Sequence, residues 1–194
     1  MLFKERTYSC LVVSKNDAFN SGLVSLLPGT DFYPVIFSDS LKAAKSELNE
    51  RHFELVVINS PLPDGSGEDL AVGTVNSTDS VVLFIVKEED AEKASDVLSP
   101  YGVFILRKPT TKKSLELSVR YMCAAYERME TLRRKNESVT QKVEEIKEIN
   151  RAKWLLIYNL KMTEPEAHRY IEKQAMDRCV SRYEVAKSIV RTYK

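Results

Sequence analysis

Residues 55–67 read Leu55-Val56-Val57-Ile58-Asn59-Ser60-Pro61-Leu62-Pro63-Asp64-Gly65-Ser66-Gly67. Four apolar residues run into a polar amide and then into a stretch of proline, aspartate and glycine. A short apolar run bounded by turn residues reads as a strand buried on both faces, and the proline- and glycine-rich stretch after it reads as a turn. The unit recurs in both directions, at Ser9–Val13, Tyr33–Phe37, Val81–Val86 and Val103–Leu106. Stretches of helical period lie between. Phe19, Leu23, Leu26 and Leu27 share one face of residues 17–27, and Leu41, Ala44 and Leu48 share one face of 40–50. Residues 90–98 repeat the pattern with Ala94, Val97 and Leu98, whereas 68–76 is weaker, with Gly73 inside it. Strands alternating with helices predict an α/β fold, a doubly wound five-stranded parallel sheet with helices on both faces. In such a sheet the functional crevice lies at the C-terminal ends of the strands.

The residues at those ends are Ser14 and Lys15, Asn59, Val86, and Lys108-Pro109. Together with the 61–67 loop they resemble the receiver domain of bacterial two-component response regulators, over about residues 8 to 121 of a predicted domain spanning 1–121. The resemblance implies an acidic pair for Mg²⁺ after the first strand and a phosphoacceptor aspartate after the third. It also implies a hydroxyl residue ending the fourth and a Lys-Pro after the fifth. Here Ser14 and Lys15 replace the acidic pair, with Asp17 near them, Asn59 stands at the acceptor position and Val86 at the hydroxyl position. Only Lys108-Pro109 is kept. Mg²⁺ is a hard cation that wants carboxylate oxygens, and phosphoryl transfer needs it to neutralise developing charge. An amide is neither nucleophile nor charged ligand, and Lys15 adds positive charge where the metal should sit. The expectation is a pseudo-receiver without phosphochemistry: no catalytic residue, no metal, no cofactor. Lys108 then reads as a solvated or hydrogen-bonded lysine. Residues 64–67 read as a turn and not a phosphate cradle, since no Lys-Ser/Thr follows the glycines.

From Thr110 to about Asn159 there is neither proline nor glycine, which predicts one long helix whose linker portion spans 110–150. Val119, Met122 and Tyr126 lead into a run at Met129, Leu132, Asn136, Val139, Val143 and Ile146. Its 3-4-3-4-3 spacing is a heptad seam, and the threes at Tyr126-Met129-Leu132 read as a stammer. A helix of some 45 residues would be about 65 Å long. That is too long for one small domain to cover, so the seam predicts a coiled-coil homodimer. The alternative is an amphipathic helix folded back on its own protein.

Two more helix starts are marked beyond it. Thr163-Glu164-Pro165-Glu166 and Ser181-Arg182-Tyr183-Glu184 both match the capping box, opening helices of about 164–177 and 182–193. Ala167, Tyr170, Ile171 and Ala175 line one face of the first; Val185, Ala186, Ile189 and Val190 line one face of the second. Ala152-Lys153, Met162–Ala167, Gln174-Ala175-Met176-Asp177-Arg178 and Glu184-Val185-Ala186 resemble the ANTAR domain over about residues 135 to 193, within a predicted domain of 135–194. The resemblance implies an RNA-binding transcription antiterminator acting on paired hairpins of leader RNA, so that a terminator does not form. The cations available to RNA are Arg169 and Lys173, four apart on one helix, Lys187 and Arg191, four apart on the next, and Lys153, Arg178 and Arg182 at helix ends. Tyr158 and Tyr183 read as packing residues ahead of base stackers, and His168 as helix surface.

The composition agrees with this division. The chain has 194 residues and a net charge of +1. Residues 127–194 carry 16 Lys/Arg against 11 Asp/Glu, an excess of +5, which leaves −4 on the part before them. A basic module behind an acidic one points to a polyanion partner. Cys10, Cys123 and Cys179 have no disulfide or metal spacing, and His52 and His168 lie far apart, so no zinc site is expected. No apolar run is long enough to span a bilayer, and the segment after Lys4 and Arg6 does not read as a signal peptide. The expected address is cytoplasmic, with no membrane partner. Nothing pairs a nucleophile with a base, which leaves an enzyme least supported. Two other classes stay open. One is a DNA-binding response regulator, against which no helix–turn–helix pattern is visible. The other is a protein–protein adaptor in which the receiver surface docks a regulatory protein.

Overall fold

A computed structural model of the chain describes residues 6–193. Residues 1–5, including Lys4, and Lys194, the outer ends of the two predicted domains, lie outside the described residues. The chain clusters into two compact units divided between Glu130 and Thr131.

The first unit alternates strands and helices: β1 (Tyr8–Val13), α1 (Asp17–Val24), β2 (Phe32–Ser38), α2 (Leu41–Glu50), β3 (Leu55–Asn59), α3 (Glu68–Ser77), β4 (Val81–Lys87), α4 (Ala91–Leu98) and β5 (Phe104–Lys108). All strand pairs are parallel, in the order β2-β1-β3-β4-β5. Register is fixed by apolar partners such as Leu11–Val56, Ile58–Phe84 and Ile85–Leu106. Successive residues of a strand point to opposite faces, so the buried runs feed two cores. Cys10, Val12, Val57, Leu83 and Ile85 meet Leu23 of α1 on one face. Leu11, Val13, Ile58, Val82 and Phe84 meet Ala44 of α2, Leu70 and Ala71 of α3, and Ala94 and Leu98 of α4 on the other. Each fully buried leucine or isoleucine contributes about 1.5–3 kcal/mol. The predicted strands agree to within a residue or two, with Val103 just outside β5. Val97, expected on the inner face of α4, is exposed.

A single helix, α5, runs Lys112–Leu160, 49 residues. Its first turns close the receiver-like core: Leu115, Val119, Met122, Cys123 and Tyr126 are buried against the α1 face of the sheet. The apolar positions before Met129 are therefore used within the unit. Met129, Leu132, Val139, Val143 and Ile146 are all exposed, and so is Asn136.

In the second unit the end of α5 packs with α6 (Glu164–Arg178) and α7 (Arg182–Thr192). Ala152, Leu156, Ala167, Ile171, Ala175, Val185, Ala186, Ile189 and Val190 form its core. At the start of α7, Ser181 N donates to the Glu184 carboxylate at 3.1 Å and Glu184 N donates to Ser181 Oγ at 3.2 Å. The Glu166 carboxylate accepts from Thr163 N at 2.7 Å at the start of α6. Tyr170, expected beside Ile171 in the core, is 37% exposed. Among the described residues no helix is long and apolar enough to cross a membrane.

Candidate functional site

Two places collect polar side chains: the strand-end crevice of the first unit, and the outer faces of the second.

In the crevice Ser14 and Asn59 are both buried. The Asn59 amide Nδ2 donates to Ser14 Oγ at 3.0 Å, and Ser14 Oγ also accepts from Asn16 N at 3.2 Å. Asn59 Oδ1 is buried without a hydrogen-bond partner. Asn16 Oδ1 accepts from Phe19 N at 2.9 Å and so caps α1, while Lys15 and Asp17 face solvent. Val86 is buried near the end of β4. Lys108, paired in register with Lys87, donates through Nζ to the Ser60 carbonyl. Burial, and then the charge of Lys87, lowers its pKa below the ordinary lysine value.

The 61–67 loop is a turn, as its residues predict. Leu62 and Gly65 bridge across it, and Gly67 takes φ +90° with Ile58 so close that a Cβ would lie 3.0 Å from its Cγ2. Its aspartate has a use that the sequence does not reveal. Asp64 accepts from Leu41 N at 2.9 Å and Lys42 N at 3.0 Å, capping α2 from another loop. The Leu41 hydrogen bond first, and then that of Lys42, holds the Asp64 carboxyl below the ordinary range.

On the second unit, Arg169 and Lys173 are exposed on α6, Lys187 and Arg191 on α7, and Arg178 at the end of α6. Two of the predicted cations are engaged within the bundle. Lys153 Nζ lies 2.7 Å from Glu164, its side chain only 17% exposed, and Arg182 pairs with Glu172 at 3.3 Å. His168 lies on the helix surface beside Glu172. Tyr183 is partly covered, with Lys187 Nζ 5.0 Å from its ring centroid. Tyr158, expected from sequence to pack, is 75% exposed. Trp154, which the sequence does not single out, is 70% exposed one turn before it. A helical wheel finds it: Trp154 falls opposite the Ala152–Leu156 face. Among the described residues no group of three or more His, Cys, Asp or Glu is arranged to hold a metal.

Residues 137–190 match the family model of the ANTAR domain. The Transcriptional regulatory protein PdtaR of Mycobacterium tuberculosis is 28% identical over 150 residues, 75% of this chain and 72% of that protein. Solved structures agree with the first unit. A response regulator receiver domain protein from Clostridium thermocellum superposes with a TM-score of 0.55 at 19% identity, covering 64% of this chain and 98% of its own. The non-phosphorylated HemR receiver domain from Leptospira biflexa does so with a TM-score of 0.53 at 23% identity, covering 60% and 94%.

Proposed function

We propose that this chain, an ANTAR-domain protein whose N-terminal unit has the receiver fold, is a transcription antiterminator that binds paired hairpins in leader RNA as a dimer. The observation that carries the reading is the ANTAR match over residues 137–190 on a unit whose outer faces present Arg169, Lys173, Arg178, Lys187 and Arg191 to solvent. Cations spaced four apart along a helix suit successive phosphates, and RNA loops are read by such contacts together with stacked bases. Lys153 and Arg182, tied to Glu164 and Glu172, serve the bundle first and reach RNA only by giving up those partners. The exposed stripe Met129, Leu132, Asn136, Val139, Val143 and Ile146 is the seam for a second copy, with Asn136 setting its register.

The receiver fold works here without phosphorylation. Mg²⁺ needs carboxylate oxygens, and the strand ends supply a buried hydroxyl at Ser14, an exposed ammonium at Lys15 and an amide at Asn59. This donor set does not fit the metal. The Asn59 amide is already donating to Ser14, and Lys108 is bonded to the Ser60 carbonyl. Control therefore comes through another route: a regulatory protein docking on this unit, a ligand, or the concentration of the protein itself. The chain acts as a cytoplasmic regulator and not as an enzyme.

The test is binding of full-length protein to a tandem-hairpin leader RNA from upstream of an intrinsic terminator in the source genome. The same sequence as duplex DNA is the control, across a salt series. The expected result is RNA-selective binding that weakens steeply with salt and is lost when either hairpin is removed. Preference for the duplex would overturn the reading in favour of a DNA-binding regulator, and binding to neither would overturn it in favour of a protein adaptor.

A further inference from the structure

The end of α5 has two sides. Ala152 and Leu156 are fully buried in the core of the second unit. Trp154 and Tyr158 each come two positions later, about 200° around the helix, and are 70% and 75% exposed. Lys147 and Arg151 precede them at spacings that keep all four side chains on one stripe, and both are exposed. Lys161, just past the helix end, holds its Nζ 5.5 Å from the centroid of the Tyr158 ring. Glu144 pairs with Lys147 at 2.9 Å, and Glu148 lies three positions before Arg151. Trp154 is the only tryptophan in the chain.

A large aromatic ring on a helix surface gains nothing for folding, since its area stays in water and tryptophan and tyrosine are weaker helix formers than alanine. Two such rings, one turn apart and flanked by cations, have the composition of a surface for single-stranded nucleic acid. There, bases stack on aromatic faces and phosphates meet the charges. The seam offers a different surface: it is aliphatic apart from Asn136, and its helix positions beyond Ile146 turn into the bundle core at Ile149, Ala152 and Leu156. The cations of the stripe argue for a polyanion over an apolar protein groove. Along the helix the two rings are about 6 Å apart, wider than the roughly 3.4 Å step of a stacked strand. They suit two bases splayed out of a loop.

We infer that Trp154 and Tyr158 form a stacking platform for two unpaired bases of the RNA loop, with Arg151 and Lys161 on the adjoining phosphates. The inference rests on the RNA-binding reading above and adds to it which face reads bases. It assigns the end of α5 to the unpaired loop and its adjoining phosphates, and α6 and α7 to phosphates elsewhere on the hairpin.

The single tryptophan makes the platform its own reporter. Full-length protein is titrated with the tandem-hairpin RNA while binding is followed both by mobility shift and by Trp154 emission. The expected result is quenching that saturates with the same Kd as the shift. Trp154→Ala should weaken binding by about 5- to 150-fold, the range for one stacked base, with the salt slope unchanged. Trp154→Phe should recover much of the loss, and Arg151→Ala should reduce the salt slope. Circular dichroism and solution mass of each variant should equal those of the parent. If the parent binds RNA but emission and the Trp154→Ala affinity do not change, the platform is overturned and the RNA reading stands. If the parent does not bind RNA, both fall. A Trp154→Ala protein that changes mass while keeping its RNA affinity assigns the stripe to a second copy and overturns the platform.

Discussion

Asn59 ends β3 where the sheet opens to its crevice, and its Nδ2 is committed to Ser14 Oγ at 3.0 Å. Both residues are buried, so the pair is an internal hydrogen bond. Treatment with acetyl phosphate and Mg²⁺ is expected to leave the intact mass unchanged. Asn59→Asp is expected to gain no phosphoryl group either, because Ser14 and Lys15 provide no carboxylate for the metal. That variant should also lose about 1–3 kcal/mol of stability in chemical denaturation, since it buries an acceptor-only group where a donor was used. A phosphoryl mass mapped to the 59–67 loop of the parent would contradict this. At this scale the sequence is partly legible. Strand ends locate Ser14, Asn59 and Lys108 because buried β runs are continuous and their ends are marked by polar residues. The partners are not legible. That Asp64 caps α2 depends on two loops meeting across 22 or 23 positions, and no local pattern encodes such a meeting. Trp154 escapes notice because an aromatic residue is most often read as packing, and its exposure follows only from which face of α5 the bundle covers.

Elements are far more legible, since periodicity and caps are local. Both capping boxes stand where Thr163 and Ser181 announce them, and α6 and α7 end within a residue of expectation. The structure adds a helix end that the sequence leaves unmarked. Cys179 closes α6 at φ 53°, a left-handed position usually given to glycine. An L-residue is disfavoured there by the clash of its Cβ, offset in part by the extra freedom glycine has when unfolded. Cys179→Gly is therefore expected to raise the stability of the second unit by about 0.5–1 kcal/mol, read as a later thermal transition. An unchanged or earlier transition would show that the contact of the Cys179 thiol with the Met176 carbonyl, at 3.7 Å, outweighs the backbone cost. The pattern of α5 predicts one helix correctly, but the helix is not used uniformly along its length. Val119, Met122 and Tyr126 pack on the sheet, Ala152 and Leu156 pack in the bundle, and the seam positions from Met129 to Ile146 are left exposed. Spacing alone cannot divide a continuous apolar stripe among three surfaces.

At the scale of the whole molecule, an acidic receiver-fold unit precedes a basic ANTAR unit. That charge division is visible from composition, and it is the division that a polyanion partner would require. The function assigned to it needs three properties at once: RNA selectivity, two copies joined at the seam, and interference with a terminator. Single-round transcription across a leader that carries the paired hairpins and an intrinsic terminator tests all three. It is run with increasing parent protein and with Val143→Glu, whose buried charge would split the seam. Terminator readthrough should rise with the parent at concentrations that saturate the RNA, and disabling either hairpin should abolish the rise. Val143→Glu should behave as a monomer in light scattering and fail to raise readthrough. Readthrough that stays flat while the RNA is saturated would contradict antitermination, and an equal rise with a monomeric Val143→Glu protein would contradict the dimer.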